Sequence, residues 1–380
     1  MKLFSFAPAL SVLVLGLAGC GGTTSPTTGK TPAEQFAEID GNAVLEHTKM
    51  LSSDAFEGRA PGTKGEDFSV AYIVDQFRKA GLKPGNPNNT WVQNVPLVGI
   101  TPDPSAVLTF NKGGREQKLK FKDDFVAWTK HVADIAELQD SELVFVGYGV
   151  QAPEFSWDDY KGADLKGKTL VMLVGDPPVP DPANPAVLDP KVFGGRAMTY
   201  YGRWTYKYEI GAKMGAAGVL IVHETEPAGY PFGVVQNKTT EQFDLVTEDK
   251  GMSRVAIEGW MSLEQSKKLF ALAGKDFDAL KRQAVTRQFR PVPFGVTASI
   301  TLNNTVRTVQ SRNVVGKLEG SSRSLNDEYV VYTAHWDHLG IGPEVNGDKI
   351  YHGAQDNATG IGGLRYRSGG PRHLWRWLEW

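Results

Sequence analysis

The residues best suited to chemistry fall in two short runs, Val330-Val-Tyr-Thr-Ala-His-Trp-Asp-His-Leu-Gly340 and Gly353-Ala-Gln-Asp-Asn-Ala-Thr-Gly360. The β-branched stretch before His335 predicts a strand that carries the imidazole to its end, where open α/β sheets place ligand-binding groups. Asp337 lies two residues on, close enough to orient a metal-bound imidazole and fix its tautomer. Asp356 sits in a Gly/Asn/Thr-rich turn that lets a carboxylate approach a cation closely. Imidazole with carboxylate is a donor set suited to Zn²⁺. A His and an Asp 21 residues apart are a weak signal by themselves, and the ordinary role of any of the seven histidines is on a surface or in a core. His338 and His352 fit that ordinary role better than His335 does, and Asp337 is equally compatible with a structural turn.

These runs need elements to hold them. Asp327–Thr333 reads as the strand leading to His335. Upstream, Ala33–Leu51 has helical periodicity, and a turn-rich segment follows to Thr63. A second helix places Val70, Ile73, Val74 and Phe77 on one stripe, with Gly81 to end it and Pro84 to prevent continuation. A separate unit runs from about Asp134 to Phe289. Its strand signals are Glu142–Val150, Lys168–Val174 and Gly218–Val222, with a helix-like Tyr206–Met214 and a proline-dense loop over Pro177–Pro190. Short strands between Gly/Pro turns predict a β-rich domain with few helices. The first pattern resumes at Ser311–Gly320.

The chain has 380 residues, 41% hydrophobic and 22% charged, which suffices for two cores and argues against a disordered or fibrous chain. A formal charge of −2 gives no polycationic footprint, so nucleic acid is not an expected partner. Met1-Lys2 and an apolar run from Leu3 to Leu17 form a signal-peptide core too short to span a bilayer. The run ends in Leu17-Ala18-Gly19-Cys20, which resembles a bacterial lipobox. Cys20, the single cysteine of the chain, is the expected lipidation site. Several acyl chains on it would give stable anchoring. An extracytoplasmic lipoprotein, on the periplasmic face or in the cell envelope, follows as the expected location, with residues 21–32 as a flexible tether.

The chain resembles metallopeptidase family twenty-eight, which includes leucyl aminopeptidases, aminopeptidase Y and glutamate carboxypeptidase. His335-Trp-Asp337 with Gly353-Ala-Gln-Asp356-Asn-Ala-Thr-Gly360 looks like that family's zinc signature. Leu51–Pro84, with Glu57-Gly-Arg and Lys79-Ala-Gly-Leu-Lys-Pro, is similar to its N-terminal region. Glu142–Asn237 resembles the protease-associated domain that many members carry inside the catalytic domain. The resemblance implies an α/β fold: a zinc-exopeptidase (phosphorylase/hydrolase-like) mixed-sheet catalytic domain with a β-rich insert. The expected division is residues 1–20 signal peptide, 21–32 tether, 33–133 and 290–364 catalytic domain, 134–289 insert and 365–380 an aberrant tail. His335 would ligate one zinc, Asp356 would bridge two, and Asp337 would support His335. The implied activity is release of N-terminal residues from peptide substrates by a two-zinc-activated water. The family pattern also calls for a Glu-Glu pair that supplies the general base. After Leu364 this sequence instead reads Arg365-Tyr-Arg-Ser-Gly-Gly-Pro-Arg-His-Leu-Trp-Arg-Trp-Leu-Glu-Trp380, with no such pair. A frameshift and an incomplete, inactive catalytic domain are the expectation there. A peptide-binding lipoprotein without catalysis and a zinc-dependent glutaminyl cyclase are the rival readings.

Overall fold

The computed structural model describes residues 40–236, 241–320, 322–325 and 327–366. Cys20, the signal run, the tether and nearly all of the 365–380 tail lie outside the described residues. Helix α1 (Gly41–Leu51) starts at Asp40, whose carboxylate accepts the Asn42 amide at 2.9 Å, as N-caps do. Helix α2 (Lys64–Lys79) buries the expected stripe of Val70, Ile73, Val74 and Phe77, and Gly81 follows it at φ +79°.

The strands that matter here are β1 (Val92–Pro102), β2 (Val107–Lys112), β3 (Arg115–Lys120), β4 (Phe125–Trp128), β5 (Ile135–Phe145) and β6 (Thr169–Leu173). Helix α3 (Trp204–Lys213) precedes β7 (Gly218–Val222), and β8 (Gln242–Leu245) and β9 (Ile257–Met261) follow. Helices α4 (Leu263–Ala273) and α5 (Phe277–Ala284) lead to β10 (Val292–Val314), 23 residues long. A hairpin of β11 (Gly340–Val345) and β12 (Asp348–Tyr351) and helix α6 (Thr359–Tyr366) complete the set.

Ten strands form one mixed sheet with the path β8-β1-β10-β5-β6-β7-β9-β4, and β2 with β3 joins it along β10. Strands β5, β6, β7 and β9 are mutually parallel. Every residue of β6, β7 and β9 is buried, which is why β6 and β7 read as nearly continuous apolar runs, whereas β9 carries the buried Glu258. The fold is therefore mixed α/β. The middle unit is less purely β than expected, because α3 lies against β7 and α4 against β10.

Beside a small cluster of Leu51, Phe56 and Ala358, two hydrophobic cores draw on opposite ends of β10. The larger contains buried residues from Ala106 to Leu302, so its packing extends past both expected limits, 134 and 289. The smaller joins the α2 stripe to Val314, Val315 and Trp336. Strand β10 pairs with β5 through its first half and with β1 over Asn304–Val314, so one strand belongs to both.

One expectation fails. Asp327–Thr333 forms no strand, and Tyr329, Val330 and Val331 are 52%, 47% and 44% exposed. β-Propensity describes fit to a neighbouring strand, and no described strand lies beside this run. His335 is consequently held by irregular backbone and not by a strand end.

Candidate metal centre

Trp336 fixes the first half of the site. Its side chain is buried in the smaller core with Phe77 and Val314, and its indole N–H donates to the Arg312 carbonyl at 2.9 Å. The flanking His335 and Asp337 are left half-exposed, at 42% and 43% of their side-chain surface. The second half begins at Gly353, whose φ is +58°. A Cβ at that position would stand 2.6 Å from the Arg59 guanidinium, from the Asp356 carbonyl and from the His338 ring, so only glycine fits the turn that presents Asp356.

Arg59 ties the halves together. Its side chain is fully buried, and its Nε–H donates to the Trp336 carbonyl at 2.7 Å. The remaining guanidinium N–H groups donate to the carbonyls of His352 and Gly353, each at 2.8 Å, and to that of Leu51 at the end of α1. The Arg59 carbonyl in turn accepts the His338 amide at 3.2 Å. A planar fork of fixed donors suits four carbonyls from three segments, where a flexible ammonium would not. Sequence reasoning placed Arg59 within a family-like Glu-Gly-Arg run and assigned it no role. No local pattern distinguishes it from a surface arginine, because all its long-range partners lie 277 or more residues away.

With the loops so held, His335 and Asp356 meet: Nε2 lies 3.0 Å from the Asp356 carboxylate. On the other side Nδ1 donates to the Asp337 carbonyl at 3.1 Å, and the Asp337 carboxylate stands at 3.5 Å. Acceptors at both nitrogens require both N–H groups, and so the imidazolium form. The Asp337 carboxylate is the main cause that lifts the His335 pKa to about 9 against the opposing effect of partial burial. Nδ1 of His335 thus faces both the carbonyl and the carboxylate of Asp337. His338 moves the other way, lowered first by burial.

A zinc site draws on three or four protein ligands. Among the described residues no group of three His, Cys, Asp or Glu side chains converges to hold an ion. His335 and Asp356 fit as two members of such a set and do not complete it.

His352, read from sequence as ordinary, has a structural task. Nδ1 lies 2.8 Å from the Ser52 carbonyl just past α1, and Nε2 lies 2.9 Å from the Asp348 carboxylate. Both partners are acceptors, so this ring too is an imidazolium. The Asp348 carboxylate leads the causes that raise its pKa above the usual histidine value.

An imidazole and a carboxylate brought within 3.0 Å of each other beside a mixed sheet place the chain in the class of mixed α/β proteins. The sequence of that site is similar to a known family: residues 313–366 match the family model described as Peptidase family M28. Among solved structures, the chain is similar to the aminopeptidase from Aneurinibacillus sp. strain AM-1, at 20% identity and a TM-score of 0.41, covering 88% of this chain and 62% of that one. It is also similar to a peptidase M28 precursor from Shewanella amazonensis SB2B (15% identity, TM-score 0.40, 88% and 64% covered). A zinc aminopeptidase from Bacillus subtilis aligns at 16% identity and a TM-score of 0.34, with 89% and 61% covered. The chain thus spans about three fifths of the length of these structures. No curated protein matches it.

Proposed function

We propose that the chain belongs to a zinc-dependent metallo-exopeptidase of aminopeptidase type, acting on peptides outside the cytoplasm and held to a membrane by lipid on Cys20. The insert would be a protease-associated domain. The observation that carries the reading is the 3.0 Å approach of His335 Nε2 to the Asp356 carboxylate within the segment that matches Peptidase family M28. Zinc at such a pair polarises a scissile carbonyl and acidifies water. Among the described residues, this chain's share would be two ligands, the orientation of His335 by Asp337, and the clamp of Arg59 on both loops. The described residues contain no third ligand, and no glutamate of the described residues joins the pair as a base. That count favours, as a second reading, a peptide-binding lipoprotein without turnover.

Zinc titration of the 380-residue chain tests the assignment. Two donors should bind zinc only weakly, and His335→Ala or Asp356→Ala should each abolish what binding there is. Zinc binding that ignores both substitutions would sink the site. Release of an N-terminal residue from a chromogenic aminoacyl substrate should be undetectable, with or without chelator. Chelator-sensitive turnover would show that the residues outside the described set complete the centre and would remove the second reading. Cys20→Ala should move the protein from the membrane fraction to the soluble one, and an unchanged distribution would refute the anchor.

A further inference from the structure

A cleft of about 850 Å³ separates the large core unit from the segment that matches Peptidase family M28, and it reaches the metal centre at Asp337. Its volume lies in the range of ligand sites. One wall is aromatic: Trp204 and Tyr208 on α3 meet edge-on at 6.0 Å, and both rest against Trp128. Trp128 is in turn anchored by its indole N–H to the Glu258 carboxylate at 2.8 Å. Rings braced in this way form a rigid apolar surface that loses little freedom when something lies on it.

Most charges lining the cleft are already matched. Lys130 pairs with Asp244 at 2.8 Å, and Arg312 with Glu66 at 2.9 Å and with Asp67. Glu209 accepts the Tyr200 hydroxyl, Glu258 is buried under Trp128, and Asp337 faces His335. Two cations have no carboxylate of the described residues within ion-pair distance. The guanidinium groups of Arg203, just before α3, and Arg254, just before β9, belong to exposed residues and close no ion pair among the described residues, although Glu258 and Tyr200 both feel the charge of Arg254. An unpaired guanidinium presents a fork of donors whose complement is a carboxylate, taken bidentately.

We infer that this cleft is a peptide-binding groove selective for peptides that carry a carboxylate beyond their N-terminal residue, which Arg203 and Arg254 recognise while the chain lies along Trp204 and Tyr208. The inference rests on the peptidase reading only in taking the occupant to be a peptide. The carboxylate can come from an acidic side chain or from the peptide's own C-terminus, and the two sources are separable.

The test is calorimetric binding to the full chain with excess chelator, so that no turnover intervenes. The probes are Leu-Ala-Glu amide, Leu-Ala-Gln amide and Leu-Ala-Gln free acid. At low salt the Glu amide should bind about tenfold tighter than the Gln amide if the side chain is read. The free acid should gain the same factor if the terminus is read. The preference should vanish in an Arg203→Gln/Arg254→Gln variant and survive in part in Arg203→Lys/Arg254→Lys, with the melting temperature of both unchanged because the side chains are exposed. Equal binding of all three probes, no binding, or a preference that survives the Gln variant would overturn the proposal. Zinc binding that ignores His335→Ala and Asp356→Ala, with this preference intact, would count against the peptidase reading alone.

Discussion

Arg59 shows how much one residue can decide. Its fork satisfies carbonyls at the end of α1, beside His335 and beside Asp356, two of them in buried and two in part-buried hydrogen bonds. Arg59→Ala leaves those acceptors unpaired, and buried unsatisfied groups cost about 1–3 kcal/mol each before relaxation. A net loss of about 3 kcal/mol is expected, measured as denaturant midpoint, with the two ligand loops separating. Arg59→Lys should recover little, since an ammonium cannot span the same acceptors. A loss under about 0.5 kcal/mol, the range of ordinary surface substitutions, would mean the clamp is redundant. The glycines act by the opposite device, absence of bulk. At Gly58, φ is +67° and a Cβ would stand 2.5 Å from the Gly340 carbonyl, which lets the hairpin close over the turn.

At the scale of elements, the hairpin β11–β12 is joined to the end of α1 through His352. The imidazolium bridges the Ser52 carbonyl and the Asp348 carboxylate, with Asp54 at 3.9 Å as a further acid. Its folded pKa lies above that of an unfolded histidine, so the stabilisation is fully present below the unfolded value of about 6.5. It is lost as pH rises through the folded value. The melting-temperature advantage of the native chain over His352→Gln should therefore be largest near pH 6 and shrink by pH 9. A difference constant across that window would show that packing, and not charge, makes the contact. Helix α6 docks on α1 by another close approach, with Gly362 facing the Val44 carbonyl, where a Cβ would stand at 2.9 Å. The run before His335 shows the limit of intrinsic preference: β-branched residues without a neighbouring strand stay irregular and exposed.

The whole molecule is organised by β10, which serves two cores in succession. The larger core draws Leu108, Phe110, Leu119 and Phe125, all fully buried, from one side of the expected insert, and Ile300 and Leu302 from the other. A fragment of residues 103–304 should unfold in one cooperative transition, whereas 134–289 lacks those side chains and should unfold broadly with a low m-value. Equal cooperativity of the two fragments would refute this division. Among the described residues no helix is long and apolar enough to cross a membrane.

What the sequence determined by itself was local or periodic. The α2 stripe, the buried runs of β6 and β7 and the Gly81 stop could all be read because each signal lies within about twenty residues. Tertiary structure decided what depends on distant partners. The strand expected at 327–333 needed a neighbour that its own residues could not supply. Arg59 and His352 gained their roles from carbonyls and carboxylates brought to them by chain reversal. The cleft lined by Arg203 and Arg254 brings together residues from 61 to 337, far apart along the chain. Propensity and spacing act along the chain, whereas burial and electrostatic pairing act across it, and the site is built chiefly from the second kind.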